Sequence, residues 1–354
     1  MKKHNFNAGP SILPNEVIKD SSKAILELDN IGLSLLEISH RSKEFASIME
    51  RACDKVLKLA NLQGKGYKAL FIQGGASQQF IMAAYNLLEN KAGYINTGSW
   101  SSKAMKEASL LGNVIEIASS KDQNFNYIPK KYTIPNDCDY LHITTNNTIF
   151  GTQYKTFPST SVPLIADMSS DIFSKNIDYS EFDLFYAGAQ KNIGPAGVTL
   201  VVLKEQILNK VSRSIPSILD YSIHIKSDSM FNTPPVFSVY TTLLNLIWIE
   251  NQGGIENLET NNNSKANLIY NEIDRNSCFK GFANKEDRSI MNATFSLIDD
   301  NLTEKFNELC NMENITGIKG HRSVGGYRAS IYNALPIASV RVLVDCMQKL
   351  ENNL

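Results

Sequence analysis

Residues 163–203 read PLIADMSSDIFSKNIDYSEFDLFYAGAQKNIGPAGVTLVVL, in which three short apolar runs, PLIADM, DLFYAG and VTLVVL, are separated by polar connections. The runs are rich in Leu, Ile, Val and Tyr and show little polar alternation, as expected of strands buried on both faces. Toward the N-terminus the same pattern recurs from about Tyr67, in YKALFI, AGYIN, NVIEIA and DYLHIT. Between the first two, SQQFIMAAYNLLE places Phe80, Ile81, Ala84, Leu87 and Leu88 at helical spacing, with Ser77 as a cap. Strands alternating with helices predict an α/β fold around a mostly parallel sheet. Toward the C-terminus an apolar helix is expected from Val236 to Glu250, stopped at Gly253 and Gly254, with the polar NLETNNNSKAN as a boundary. Beyond it, a helix to about 274, strands near 292–298 and 328–332, and helices near 303–311 and from 336 form a smaller α+β unit.

The composition narrows the class of function. With 354 residues, 43% hydrophobic and 20% charged, the chain can bury a large core and is too apolar for disorder. Lys plus Arg number 35 against 36 for Asp plus Glu, a net charge of -1, so no basic excess points to nucleic acid. No apolar run approaches the roughly 18 residues of a membrane helix. Lys2 and Lys3 in MKKHNFNAGPSILPNEV are followed by no apolar run, so a cytoplasmic protein with no membrane partner is expected. Cys53, Cys138, Cys278, Cys310 and Cys346 form no C-x-x-C pair, and His4, His40, His142, His224 and His321 show no local ligand spacing. No metal site is expected.

The chemistry centres on Lys191, which lies in YAGAQKNIGPAG between a strand and a Gly/Pro-rich turn. Loops at the carboxyl ends of parallel strands are where open α/β sheets bind ligands, and a desolvated lysine there can attack a carbonyl. A lysine beside a turn is ordinarily a solvated surface group. Asp167 shifts that balance, because it ends the preceding apolar run and stands 191 - 167 = 24 residues earlier. Pyridoxal 5'-phosphate needs such a pair, an amine for its aldehyde and an acid for its ring nitrogen. Alone, Asp167 equally suits a helix cap. The turn Gly74, Gly75, Ala76, Ser77 opens a helix and offers backbone N–H groups to a phosphate. Trp100, one of two tryptophans, can stack on an aromatic ring or simply pack its loop. His40 with Arg41, and His321, Arg322 and Arg328, suit a substrate with more than one acidic group, although surface ion pairs use the same residues. Pro234 and Pro235 stiffen a helix entry that Thr233 can cap.

Taken together, NFNAGPSILP, EISHRSKEF, AGAQKNIGPAG, PSILDYS, MFNTPP and GHRSVGGYRASIYNA closely resemble the phosphoserine aminotransferases, a class V family of fold-type I enzymes. The likeness spans nearly the whole chain. It implies a pyridoxal-phosphate-dependent homodimer with shared active sites. A large domain over 13–258, with a mostly parallel seven-stranded sheet, would join a small domain of 1–12 and 259–354. It implies transfer of an amino group from L-glutamate to 3-phosphohydroxypyruvate in serine biosynthesis, and formation of 4-phosphohydroxythreonine in pyridoxine biosynthesis. By resemblance Lys191 is the Schiff-base lysine, Asp167 the partner of the ring nitrogen, Trp100 the stacking residue and Thr148 a neighbour of the phenolic oxygen. Ala76, Ser77 and Gln190 would hold the cofactor phosphate with Asn232 and Thr233 of the other subunit, while His40, Arg41, His321, Arg322 and Arg328 would bind the substrate's acidic groups. Some members have Arg where Ser77 stands, so one charged contact to the cofactor phosphate is expected to be absent, and acids where Asn147 and Phe150 stand, which bears on substrate fit. Two rival readings remain at this level. A class V desulfurase or lyase is one, although a desulfurase needs a cysteine on a flexible loop and Cys310 and Cys346 fall in expected helices. The other is a cofactor-free anion-binding protein.

Overall fold

The computed structural model describes residues 3–353. All seven apolar runs enter one sheet, as β1 (Tyr67–Gln73), β2 (Lys91–Asn96), β3 (Asn113–Ser119), β4 (Tyr140–Thr144), β5 (Leu164–Asp167), β6 (Leu184–Gly188) and β7 (Val198–Lys204). Their spatial order is β1-β7-β6-β5-β4-β2-β3, and only β7 runs against its neighbours. Alternate residues serve opposite faces, as the pleat requires. Phe71, Ile143, Ala166, Phe185 and Val202 share one core with α2 (Lys43–Leu59) and α5 (Val236–Asn251), which follow α1 (Asn15–Leu26) in the same layer. Leu70, Tyr94, Tyr140, Ile165, Tyr186 and Val201 face α3 (Ser77–Leu87) and α4 (Ser99–Ala108). His142 belongs to this second face, where its Nε2 lies 2.8 Å from the Tyr186 hydroxyl and burial depresses its pKa to about 3.

The smaller core lies on an antiparallel sheet of β8 (Phe279–Gly281), β9 (Asn292–Leu297) and β10 (Tyr327–Ser330). It is covered by α6 (Gly254–Arg275), α7 (Thr303–Met312) and α8 (Ile337–Asn352) through Ile269, Phe295, Phe306, Leu343 and Met347. Residues His4–Asn5 join this unit by parallel pairing with Ile315–Thr316. No helix among the described residues is long and apolar enough to cross a membrane.

Three local expectations are corrected. NLETNNNSKAN, expected as a boundary, is no break in regular structure but lies inside α6. Buried Ile255, Leu258, Asn262, Ala266, Ile269 and Ile273 recur every three or four residues through it, and this period outweighs the polar composition. Asn262 itself is buried, donating to the Ser174 carbonyl and to Asn333 Oδ1, both at 2.8 Å. Ser77 does not cap α3; the cap position is Ala76, and Ser77 is the first helical residue. Thr233 does not cap α5 either, since the Pro pair places Pro235 at that position.

One buried cation ties α6 to the end of β10. Lys265 is 2% exposed, and its Nζ donates to the Ile331 and Tyr332 carbonyls at 2.9 and 2.7 Å. Burial lowers its pKa to about 7. The free lysine value is about 10.4, so between these values the unfolded chain binds a proton that the folded chain does not, and stability rises with pH. A Lys265→Met variant should therefore show a shallower rise of unfolding free energy between pH 7 and 9, by up to about 1.4 kcal/mol per unit. Denaturant titrations with equal slopes for both proteins would refute this.

Candidate active site

Because β5 and β6 are parallel neighbours, with Asp167 paired to Tyr186, their carboxyl ends open side by side. The chain leaves β6 through Gly188 into the short turn Ala189–Asn192, which carries Lys191. Asp167 is the last residue of β5. Both line a cavity of about 280 Å³, together with Gly75, Ala76, Ser77, Trp100, Thr148, Gln190, His321 and Arg328. Thus one hollow gathers residues from beyond five strand ends of the large sheet and from the small unit.

Lys191 Nζ donates to Thr148 Oγ1 at 2.9 Å and lies 5.4 Å from the centre of the Trp100 ring. Its pKa is lowered, first by burial, against which Asp167 attracts the proton; Arg328 repels it and Asp171 attracts it less strongly. Asp167 is oriented by Ser169, whose N–H and hydroxyl donate to Oδ1 at 2.9 and 2.6 Å. Oδ2 takes no hydrogen bond from the described residues. Ser169 Oγ also accepts the Gly188 N–H at 3.1 Å, locking the two strand ends together.

Arg328, on β10, reaches across the seam to donate from Nη1 to the Thr148 carbonyl at 3.3 Å. Its Nε is buried with no partner among the described residues, which is rare for a native polar group and suits an anionic ligand. His321 Nδ1 accepts the Ser323 N–H at 3.2 Å and lies 2.7 Å from the Ser323 hydroxyl. This leaves Nε2 to carry the proton of the neutral ring. Burial and then Arg328, Arg322 and Lys103 lower the His321 pKa.

Several residues of the site were not anticipated from the sequence. Ala8, Gly9, Phe80, Ile149 and Ser169 line the cavity. Ser11 straps the lysine turn, donating its N–H to the Gln190 carbonyl at 2.9 Å and its hydroxyl to the Lys191 carbonyl. Gly9 has φ +147°, and a Cβ there would stand 3.2 Å from Lys191 Cγ, so glycine lets the strap lie against the lysine stem. The signal was the Gly-Pro step in NFNAGPSILP, whose structural meaning depends on a partner far along the chain.

Five expected residues lie outside the cavity lining. Arg322 is exposed beside His321; His40 and Arg41 lie just before α2; Asn232 and Thr233 are exposed before α5. Asn232 Nδ2 donates to Gln73 Oε1 at 2.7 Å, at the foot of the Gly74–Ser77 turn. Asn147 and Phe150 do not touch the cavity. Asn147 is buried against Thr97 and Thr152, and Phe150 packs between Phe125 and Phe282.

Against known proteins, residues 3–343 match the family model for aminotransferase class-V. A phosphoserine aminotransferase of Flavobacterium psychrophilum is 60% identical over the whole of both chains. The chain belongs to the phosphoserine aminotransferase family. A relative in Bacteroides thetaiotaomicron is 55% identical over 99% of each chain. Among solved structures, phosphoserine aminotransferase from Bacillus circulans subsp. alkalophilus superposes with a TM-score of 0.96 at 43% identity, covering 99% of each chain. The pyridoxal-phosphate-bound phosphoserine aminotransferase of Trichomonas vaginalis gives 0.93 at 32%, covering 98% of this chain and all of that one. A family of this chemistry agrees with the pocket: a deprotonatable amine, a carboxylate oxygen free for a ring N–H, a flat indole, and a helix start at Ala76 and Ser77 for a phosphate.

Since burial and charge set the Lys191 proton affinity, its reactivity in cofactor-free protein should follow those charges. Asp167→Asn should lower the pH of half-maximal acylation at Lys191 by about one unit, and Arg328→Met should raise it. Mass spectrometry of labelled peptides gives both values; shifts in the opposite directions would refute the electrostatic account.

Proposed function

We propose that this chain is a cytoplasmic phosphoserine aminotransferase that moves the amino group of L-glutamate to 3-phosphohydroxypyruvate, yielding O-phospho-L-serine and 2-oxoglutarate. The observation that carries this reading is the pair Lys191 and Asp167 at adjacent strand ends, in one cavity with Arg328. Pyridoxal phosphate, when bound, supplies an aldehyde to receive the amino group and a ring that draws electrons from the reacting bonds.

The residues then divide the work. Lys191 Nζ, whose proton affinity burial lowers, would be the amine for the aldehyde and, when free, the base for the proton on the substrate α carbon. Thr148 Oγ1 accepts from that amine and holds it in line. Asp167 Oδ2 would take the ring-nitrogen proton, with Ser169 fixing the carboxylate's rotation. Trp100 would cover the cofactor ring. The backbone N–H groups of Ala76 and Ser77, the Ser77 hydroxyl and Gln190 would hold the cofactor phosphate. Arg328 takes the substrate carboxylate through its free Nε, and His321 Nε2 with Arg322 faces the distal acidic group.

His40, Arg41, Asn232 and Thr233 are assigned to the site of a second copy. Support comes from what surrounds them. Ile31, Leu33 and Leu36 are 40%, 48% and 61% exposed on the approach to His40, and Phe231 is 42% exposed beside Asn232. Exposed apolar side chains beside polar ones suit burial against a protein surface. In the same reading the large unit spans 13–258 and the small unit 1–12 and 259–354, the seam passing through α6 near its start. A desulfurase reading is disfavoured because Cys310 and Cys346 are buried on α7 and α8.

Holoenzyme mixed with phosphoserine should convert its visible absorption in a single turnover, and 2-oxoglutarate should restore it; a spectrum indifferent to both would end this proposal. Arg328→Ala should raise KM for both amino acids by 10-fold or more, a loss of about 1.5–3 kcal/mol for a charged hydrogen bond, while the cofactor is retained. Equal loss of cofactor and substrate would show that Arg328 serves the cofactor instead.

A further inference from the structure

Lys103 stands on α4 one turn beyond Trp100, so the two side chains share a helix face. Its ammonium lies 4.6 Å from the centre of the indole ring. Lys103 makes no ion pair within 4.0 Å among the described residues, although Glu107 stands one further turn along. Its charge acts across the seam on His321 in the same sense as Arg328 and Arg322, all three disfavouring a proton on that ring. A cation that lacks a carboxylate partner and sits among other cations stands in a field that attracts anions. Two of the residues around it, Trp100 and His321, line the cavity.

Resting on the function proposed above, we propose that Lys103 is a specificity-determining residue that strengthens binding of the substrate's distal phosphate over a distal carboxylate. The substrates of the two half-reactions differ at that end by one charge, a phosphate near -2 against a carboxylate of -1. A single fixed cation therefore acts about twice as strongly on the logarithm of affinity for the first. At a solvated rim each unit of substrate charge corresponds to roughly a 3-fold change in binding. A lysine that merely covers the outer indole face would show no such dependence on substrate charge.

The test compares Lys103→Met and Lys103→Arg holoenzymes with wild type. Expected for Lys103→Met is a KM for phosphoserine raised about 10-fold and for glutamate about 3-fold, with a smaller change in kcat. Calorimetry with inorganic phosphate should show affinity for the holoenzyme reduced by about 10-fold, and Lys103→Arg should restore both quantities. Equal changes in KM for the two amino acids would overturn the proposal. So would unchanged phosphate affinity with an altered cofactor spectrum, or failure of the arginine variant to rescue. Wild-type holoenzyme that does not turn over phosphoserine, yet binds inorganic phosphate more tightly than Lys103→Met, would refute the functional reading while leaving Lys103 as an anion-binding residue.

Discussion

Everything in the site depends on lowering the proton affinity of one amine while an acid stands close by. An isolated lysine in water holds its proton at neutral pH, and a carboxylate close by would hold it there more firmly. At Lys191 burial is the largest influence and lowers the proton affinity; Asp167 opposes it, Arg328 adds repulsion, and Asp171 opposes it less strongly. Distance helps as well. Lys191 and Asp167 do not form an ion pair within 4.0 Å; the amine donates to Thr148 and the carboxylate is held by Ser169. The sheet supplies that separation, since neighbouring strands are about 4.8 Å apart and each end delivers one side chain.

Fixing the amine also requires the small unit, and the contact between the units is built from polar groups of the main chain. Asn192, next to Lys191, accepts the Asn333 N–H at 3.0 Å, while Asn333 donates to the Phe173 carbonyl at 3.0 Å. Tyr332 sends its hydroxyl to the Ala8 carbonyl at 2.7 Å, in the strap that crosses the lysine turn. Lys265 secures the carbonyls of Ile331 and Tyr332 from behind. Each bond contributes on the order of 1 kcal/mol, but leaving any of these buried groups unpaired costs about 1–3 kcal/mol. Directional bonds of this kind set a unique placement of β10, and with it of Arg328, which hydrophobic contact alone would leave free to slide.

Much of this was readable from the sequence because the chemistry and the fold use the same positions. The apolar runs that define the strands end at Asp167 and just before Lys191, so recognising buried strands located the acid and the amine together. The Asn-rich part of α6 was misread because composition was weighed over period; its buried positions carry Leu258, Asn262 and Ala266 among polar neighbours. The strap at Ala8–Ser11 was legible only as a motif, since Ser11 and Lys191 are 180 residues apart and no local pattern links them. Asn147 and Phe150, expected to bear on substrate fit, pack against the backbone at Gly98, two residues before Trp100. A Cβ on Gly98 would stand 2.8 Å from Asn147 Oδ1 and 3.1 Å from the Phe150 ring.

The positions that one chain leaves outside its own cavity follow from the same geometry. A cavity bounded by the ends of parallel strands is open where the strands stop, and here Arg328 and His321 close only the side reached by the small unit. Acidic groups at both ends of a substrate need donors on more than one side, because bidentate arginine contacts lie in a plane and a phosphate presents oxygens in three directions. Two segments with polar donors, at His40–Arg41 and Asn232–Thr233, are both flanked by exposed apolar side chains. Burying those side chains against a second copy would desolvate the cavity and strengthen its electrostatics in the same step. Association and catalysis would then share one cause, so that weakening the apolar contact at Leu36 would loosen anion binding although Leu36 touches no anion.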